Sequence, residues 1–487
     1  MKNLRLFKAE ESYLNEKSSF EYPTVSYVKD TNKVYYHKNN YVEAYYIIED
    51  VNSETPLLNY YFVEQDFIKK MEIQYEDGTT EIVNEGDGDF DNTYEAFATH
   101  QFSQTGNVGV RFYMKNNWNN ASGMFAIKDI LIPVAAINFE KADMSNISSL
   151  AGLCYYGIQS DSGYSGYGGY GSSDGSSIES KLEYVTFGNN KTLKNAQDVA
   201  VMFFGCSNLK YVDVSCVDAS NTNGDERLMV FEGCSSLETL KYFKKTSERA
   251  ITLPTSIVNV DFNAWDSSNV TDMSSMFSNC GSLTSLDLSN FDTSNVTNMS
   301  SMFFSCFNLT SLDLSNFDTS KVTDMGQMFG RCNNLYDMAQ VIGFDKFDTA
   351  NVTDMSGMFI GCKLTSINLN HFNTANVANM GMMFRECSGL TSLDLSNFDT
   401  SNVTDMGQMF AWCYELTSIT FGSQADVSKV TDYGAMFGSI AATGTLYYPL
   451  AYADTWSNII TPNTLGSAIP VTWTTTAIDY ESQSNII

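Results

Sequence analysis

Residues 270–295 read VTDMSSMFSNCGSLTSLDLSNFDTSN, and closely similar strings follow one another as far as residue 437. Seven valines begin successive copies: Val270, Val296, Val322, Val352, Val377, Val403 and Val430. These valines are separated by 26, 26, 30, 25, 26 and 27 residues. A repeat of this length is typical of a solenoid, in which each coil buries its apolar face against its neighbours. The sequence therefore predicts a solenoid as the main structural unit.

Each copy combines two hydrophobic patterns. Met273, Met276, Phe277 and Cys280 are spaced i, i+3, i+4 and i+7, which places them on one face of a short helix. The string LTSLDLS that follows matches the L-x-x-L-x-L pattern of leucine-rich repeats, which contribute one strand per coil. We therefore predict a mixed α/β leucine-rich-repeat solenoid with one short parallel strand and one short helix per coil of about 26 residues.

The predicted strands expose one polar face. Alternation along a strand turns Leu286 and Leu288 inward and the residues beside them outward. The outward positions are the candidate binding residues, expected to form continuous rows from coil to coil: Ser285, Asp287, Ser289, Ser311, Asp313, Ser315, Ser366, Asn368, Ser392, Asp394 and Ser396. Such rows suit weak multivalent recognition of sugar hydroxyls or of a partner's donors. Alternatively, they only keep a long sheet soluble, and calcium bridging between stacked carboxylates is a third reading.

Cysteines and asparagines also recur with the repeat. Eight of the ten cysteines occupy one repeat position: Cys206, Cys234, Cys280, Cys306, Cys332, Cys362, Cys387 and Cys413. We interpret them as small buried apolar residues rather than disulfides or metal thiolates, because none has a partner within its own coil. The N-V-T strings at Asn269, Asn295, Asn351 and Asn402 match the glycosylation pattern, and we interpret these asparagines as turn residues.

The remaining sequence divides into segments around the solenoid, which we place at residues 141–440. Residues 1–45 form an N-terminal attachment segment with a β-hairpin anchor, because residues 20–36 alternate aromatic or β-branched with polar side chains around a turn. Residues 46–140 predict a small antiparallel, sandwich-like β domain, and residues 441–487 predict a C-terminal cap. The candidate anchor residues are Tyr22, Tyr27, Tyr35 and Tyr36. A Gly/Ser/Tyr insert at residues 160–177 offers the candidate contacts Tyr164, Tyr167 and Tyr170.

The charge of the chain limits its partners. Among 487 residues, 57 are Asp or Glu and 28 are Lys or Arg, which gives a formal net charge of −29. That charge repels nucleic-acid phosphates and anionic membranes, so we expect no nucleic-acid partner. No apolar run is long enough to cross a bilayer, and the first residues turn acidic before an apolar run of signal-peptide length. We therefore expect no membrane insertion and no export by the general secretory route.

Catalytic patterns do not emerge from the sequence. The three histidines, His37, His100 and His371, lie in three different segments and form no Ser/His/Asp or Cys/His arrangement. The Gly-rich stretch does not join a strand to a helix, so it predicts no phosphate-binding loop. We expect a protein with no enzymatic activity, no cofactor and no metal site.

The repeat string V-T-D-M-S-x-M-F-x-x-C-x-x-L-T-S-L-D-L-S-N-F-D-T-S closely resembles the BspA-like leucine-rich repeats of bacterial surface proteins. The resemblance is strong over residues 265–437 and weaker over residues 141–264. It implies adhesion or host-surface binding without catalysis. Bacterial members usually carry an export signal and a wall or lipid anchor, and this chain shows neither pattern.

The opening, MKNLRLFK at residues 1–8 and YPTVSYVKDTNKVYY at residues 22–36, resembles the N-terminal segment of virion proteins from phages of Bacteroidetes, including the crAss-like group. This resemblance implies a non-enzymatic virion surface protein, a fibre or decoration made in the host cytoplasm. Its expected partners are other virion proteins, through the N-terminal segment, and host cell-surface polysaccharide or protein. We expect it to be a homo-oligomer on the particle. The alternatives are a BspA-like adhesin at the bacterial cell surface and a purely structural virion component that contacts neighbouring subunits.

Overall fold

A computed structural model describes residues 182–222 except 192 and 195, residues 229–461 and residues 469–480. Upstream of these, it describes the backbone of nine strands and a few further residues, most of them between residues 139 and 154. The chain divides into two compact units, Met1–Lys244 and Lys245–Ile487.

The described strands of the first unit follow in chain order: β1 Ser26–Val28, β2 Lys33–Tyr35, β3 Glu43–Val51, β4 Tyr60–Phe62, β5 Ile68–Tyr75, β6 Thr80–Asn84, β7 Ala96–Ala98, β8 Gly106–Met114, β9 Ala136–Asn138, β10 Tyr184–Thr186, β11 Tyr211–Asp213, β12 Asp218–Ala219 and β13 Thr239–Lys241. The pairs β1–β2 and β4–β7 are antiparallel. One larger sheet has the order β13-β11-β10-β9-β3-β8-β5-β6. Its strands β9, β10, β11 and β13 pair in parallel, and β9 also pairs antiparallel with β3. Within this unit, the antiparallel strands therefore share one sheet with the first parallel coils.

The second unit contains β14 Lys245–Thr246, β15 Asn259–Asp261, β16 Leu312–Asp313, β17 Val341–Ile342, β18 Ser392–Leu395, β19 Ser418–Phe421, β20 Thr445–Pro449, the helix α1 Ala453–Ile460 and β21 Thr474–Ile478. Short 3₁₀ turns lie at Met338–Gln340, Phe344–Lys346 and Leu450–Tyr452. Strands β18 to β21 form one parallel sheet, and β16 pairs in parallel with β17. In the part of the chain that the structure describes, no helix is long and apolar enough to span a bilayer.

Parallel bridges join every coil of the repeat to the next. The bridged residues form one row: Asp272, Asn298, Asp324, Asp354, Asn379, Asp405 and Asp432. The coils of the second unit are thus stacked in register, one residue of the row per coil. This architecture is a β-solenoid, which confirms the solenoid predicted from the repeat.

The prediction of a short helix in each coil is wrong. Met273 donates its backbone N–H to the Asn298 carbonyl at 2.9 Å, and Phe277 donates to the Met302 carbonyl at 3.0 Å, so both bonds reach the next coil. An α-helix would instead direct each N–H to the carbonyl four residues earlier. Ser275, with a φ of 58°, lies in the left-handed region that helices exclude. Two successive turns replace the helix. Each turn spans about four residues, which is close to the 3.6 residues of one helical turn, so the same side chains face the core.

Aromatic rings stack along the centre of the second unit. The rings belong to the repeat position of Phe277: Phe277, Phe303, Phe329, Phe359, Phe384, Phe410 and Phe437. Successive ring centroids lie 5.4 to 6.2 Å apart and the ring planes are nearly parallel. The two methionines of each M-x-x-M-F string are also buried beside this stack. Each coil therefore completes its core only when the neighbouring coils are folded.

The eight repeat cysteines are buried and free, which confirms the interpretation of them as small buried residues. Their thiols also make hydrogen bonds between coils. Cys306 donates its S–H to the Phe277 carbonyl of the preceding coil at 3.1 Å, and Cys413 donates to the Phe384 carbonyl at 3.0 Å. Burial raises the pKa of the Cys306 thiol to about 12, so the thiol keeps its proton and remains a donor. Cysteine recurs here because it fills a small space and also satisfies a buried carbonyl.

A row of buried threonines joins the coils on another side: Thr293, Thr319, Thr349, Thr374 and Thr400. The Thr319 hydroxyl donates to the Asp348 carbonyl of the next coil at 3.0 Å and accepts the Asp348 N–H at 2.8 Å. The repeat asparagines act between coils as well, since the Asn295 amide donates to the Ser268 carbonyl at 2.9 Å. Polar side chains thus replace backbone pairing where the coils turn.

Candidate binding surface

All eleven candidate residues of the predicted polar face are exposed. The face is most regular at the C-terminal end, where Ser392 is paired in register with Ser418 and Asp394 with Thr420. Strand β20 extends the sheet, with Thr445 beside Ser418. The polar face therefore continues past the last copy of the repeat into residues that the repeat pattern did not single out.

The face is interrupted at the copy of 30 residues. Strand β16 pairs with β17, so the residue after Asp313 in its row is Ile342, which is 56% exposed. Ser366, in the following coil, is bridged to Asp337. The strand of the long copy, β17, thus lies beside Asp313 and carries an apolar residue in the row, so the polar row does not run unbroken from Asp313 to Asn368.

The aspartates of this face take part in turns. The Asp287 carboxylate accepts the Ser289 N–H at 3.1 Å and the Ser289 hydroxyl at 2.7 Å. These bonds lower the pKa of Asp287, and the equivalent bonds from Ser315 lower the pKa of Asp313. Such side chain-to-backbone bonds are typical of Asx turns. Part of the hydrogen-bonding capacity of these carboxylates is therefore used to close the coil.

A second row of carboxylates, joined by asparagines, lies at the bridged positions. Asp324 accepts the Gly326 N–H at 2.9 Å, and Asp405 accepts the Gly407 N–H at 2.8 Å. Burial and the adjacent Asp354 raise the pKa of Asp324, although the bond from Gly326 opposes this effect. The signal in the sequence was an Asp or Asn at the same place in every copy from 270 to 437. In the described ranges, no three acidic, histidine or cysteine side chains are grouped so that they could hold a metal ion.

We expect Asp324→Asn to stabilise the chain at neutral pH. The folded-state pKa of Asp324 is raised above its unfolded value, so the ionised carboxylate costs stability at neutral pH, and this cost is relieved as the pH falls through the folded pKa. Asparagine keeps an acceptor for the Gly326 N–H and already occupies the row at Asn298 and Asn379. The gain in the free energy of unfolding should be about 0.5 kcal/mol at pH 7, because solvent screens the half-exposed carboxylates of Asp324 and Asp354. It should vanish near pH 3, where Asp324 is protonated.

Urea unfolding of the wild type and of Asp324→Asn at both pH values measures this gain. Asp287→Asn is the matched control, because the pKa of Asp287 is lowered and the same substitution should not stabilise the chain at pH 7. A larger gain at pH 3 than at pH 7 would contradict the assignment.

A further surface lies on the two turns of each coil, where Phe304, Arg331, Met382, Arg385 and Trp412 form what we call the turn ridge. The Arg331 guanidinium lies over the Phe304 ring, 5.8 Å from its centroid, and the Arg385 guanidinium lies over the Trp412 ring at 4.2 Å. The Arg385 Nη1 also lies 3.6 Å from the Met382 sulfur. The signal for this surface in the sequence is that the residue type varies between copies at these positions, whereas the predicted sites were chosen where the copies share a residue type.

The candidate tyrosines of the insert and of the anchor lie in parts of the chain whose side chains the structure does not describe. Tyr164, Tyr167, Tyr170, Tyr22 and Tyr36 lie outside the described residues, and only the backbone is described at Tyr27 and Tyr35, in β1 and β2.

Of the three histidines, only His371 is described. It packs edge-on against Phe344 and Phe372, with ring centroids 5.2 and 4.9 Å away. Burial lowers its pKa, and the ring is a half-buried packing residue beside the aromatic core.

The stacked coils and their exposed rows define the class: a β-solenoid repeat protein with extended polar and aromatic surfaces. A family described as "Mycoplasma protein of unknown function, DUF285" matches residues 239–341 and 334–446, so this chain is similar to that family over the regular copies of the repeat. None of the curated proteins matches the chain.

Proposed function

We propose that this chain is a non-enzymatic adhesive protein on the surface of a phage virion, a fibre or decoration, and that its solenoid binds polysaccharide or protein on the host cell. The observation that carries the proposal is the repetition of exposed hydroxyl, amide and carboxylate groups on stacked coils. Many weak contacts in a fixed geometry add up to strong attachment, because each contact after the first is effectively intramolecular. A catalytic site, in contrast, requires one unique arrangement of residues.

The virion part of the proposal is supported by the opening of the chain. Residues 1–8 and 22–36 resemble the N-terminal segment of virion proteins from Bacteroidetes phages, and we assign residues 1–45 to attachment to other virion proteins. Residues 46–140 then act as a spacer, and several copies on one particle would multiply the contacts.

We also propose that the coils are a helix-free variant of the BspA-like leucine-rich repeat. The string quoted for that resemblance covers residues 265–437, and the family match spans nearly the same part of the chain. The residue pattern of the repeat is the same, but the segment between Val270 and Cys280 forms two turns instead of a helix. This relation supports adhesion as the function and also favours the second candidate, a bacterial cell-surface adhesin. The third candidate is a virion component whose solenoid contacts neighbouring subunits.

The test uses the labelled full-length chain on a panel of Bacteroidetes strains, displayed on beads to reproduce multivalency. We expect retention on at least one strain, and loss of retention after periodate oxidation of the cells if the receptor is a glycan, or after protease treatment if it is a protein. Absence of retention on every strain would refute adhesion and favour the structural role. Detection of the protein in purified particles, and its loss from particles when residues 1–45 are deleted, separates the virion protein from the cell-surface adhesin.

A further inference from the structure

The copies of the repeat agree in the core and differ on the turn ridge. The position of Ser278 is occupied in later copies by Phe304, Gly330, Ile360, Arg385, Ala411 and Gly438, and the next position by Ser305, Arg331, Gly361, Glu386, Trp412 and Ser439. The buried Met, Phe and Cys positions between which these residues lie are kept in the copies from Met273 to Cys413, and the last copy has Tyr433 and Ile440 at two of them. Side chains on this surface can therefore differ between copies without disturbing the stacking of the coils.

Large side chains on this surface are held at a conformational cost. Arg331, Met382 and Trp412 have φ values of 58°, 60° and 62°, in the left-handed region that disfavours residues with a Cβ. Gly361 occupies the same row as Arg331 with a φ of 67° and avoids that cost. The same backbone conformation recurs in the other copies, for example at Asn279 and Ser305 with φ values of 62° and 60°, so it belongs to the turn and not to one side chain. Arg331 is exposed and Trp412 is half-buried, and neither side chain completes the core.

The ridge concentrates the arginines of an acidic protein. Residues 270–437 contain two arginines, Arg331 and Arg385, and both lie here. Among residues 229–461, no carboxylate lies within ion-pair distance of Arg331, and Arg385 has a single such neighbour, Glu386 Oε1 at 3.4 Å from its Nε. The outer edge of each guanidinium, formed by Nη1 and Nη2, therefore has no carboxylate partner in this part of the chain.

The position over an aromatic ring restrains each guanidinium through a cation–π contact and leaves its two outer N–H groups to other partners. A planar fork of this kind binds a carboxylate by two parallel hydrogen bonds. Arg331 and Arg385 lie two coils apart, which corresponds to roughly 10 Å along the stack. The exposed rings of Phe307 and Tyr414, shortly after Phe304 and Trp412 in the chain, offer apolar faces beside the forks.

We propose that the turn ridge binds an acidic polysaccharide, with Arg331 and Arg385 each taking one carboxylate of the polymer. This assignment rests on the proposed adhesive function and names the ligand class. A linear polymer fits a ridge on which charged and apolar residues alternate along one line. A protein partner would require a broader patch with an apolar centre, about 800 Å² on each side. The exposed aspartates of the polar face, among them Asp287, Asp313 and Asp394, repel a polyanion there and favour the ridge.

The experiment measures binding of the full-length chain to immobilised polygalacturonate, alginate and hyaluronate, with methyl-esterified polygalacturonate as the neutral comparison. We expect binding to at least one carboxylated chain, weakened by salt and reduced about tenfold or more by Arg331→Gln combined with Arg385→Gln. Arg331→Lys should also weaken binding, because lysine keeps the charge but lacks the fork. Lys321→Gln combined with Lys346→Gln removes the same charge from exposed positions of other surfaces and should leave binding unchanged.

Circular dichroism of each variant verifies that the coils remain folded, since all four substituted side chains reach solvent. Binding that survives the double arginine substitution, or equal binding to the methyl ester, would overturn the proposal. Binding to polyglutamate without binding to any of the three polysaccharides would overturn it in favour of an acidic protein partner. Retention on cells without binding to any of the carboxylated chains would refute this ligand class and leave adhesion standing. Binding to a polysaccharide that depends on the ridge, without retention on cells, would support this ligand class and refute adhesion.

Discussion

Replacing Phe359 by alanine is expected to lower the free energy of unfolding by about 3–5 kcal/mol. The Phe359 ring is fully buried and stacks between Phe329 at 6.2 Å and Phe384 at 5.8 Å. Removing it leaves a cavity that the neighbouring coils can fill only by moving together, and each coil of a solenoid depends on its direct neighbours. We expect the loss to weaken both interfaces of that coil.

Urea unfolding followed by circular dichroism measures this loss as a lower midpoint for Phe359→Ala. Hydrogen exchange should show reduced protection that is strongest in the coils on either side of residue 359. Phe307→Ala is the matched control, because that ring is 43% exposed and its removal should change stability by less than about 0.5 kcal/mol. Equal midpoints for the two variants would contradict the role assigned to the aromatic stack.

Thr374→Val is expected to lower the free energy of unfolding by about 2–3 kcal/mol. The Thr374 hydroxyl is buried, donates to the Asp399 carbonyl at 2.9 Å and accepts the Asp399 N–H at 2.8 Å. Valine has the same shape but leaves both backbone groups of Asp399 without these bonds. The cost is that of desolvated polar groups and not of a cavity.

Two variants isolate the hydroxyl. Thr374→Ser restores an oxygen at the same position and should recover most of the stability that valine loses. Thr404→Val makes the same chemical change at an exposed threonine, whose hydroxyl donates to the Ala378 carbonyl at 3.2 Å, and should cost less than about 0.5 kcal/mol. If Thr374→Val proved as stable as Thr374→Ser, the buried threonine row would have no role in joining the coils.

The repeat period was enough to predict the stacking of coils, their buried Met, Phe and Cys positions, and the outward direction of residues such as Ser285 and Asp287. These features depend on a register that recurs every 26 residues or so, and recurrence is visible without coordinates. The same period could not distinguish a helix from two turns, since both bring Met273 and Phe277 to one face. The choice depends on where the backbone N–H groups bond, and those of Met273 and Phe277 bond to the next coil.

The contacts within the turn ridge could not be predicted from the sequence for a related reason. Phe304 and Arg331 are 27 residues apart in the chain and belong to different coils, so their 5.8 Å contact exists only when the coils are stacked. The same holds for Arg385 and Trp412 at 4.2 Å. The residues that all copies of the repeat share are those of the core, so the repeat pattern alone predicts which residues are buried. The repeat pattern does not say which of the differing side chains touch one another. The lateral register of neighbouring coils determines these contacts, because it brings together residues that are far apart in the chain.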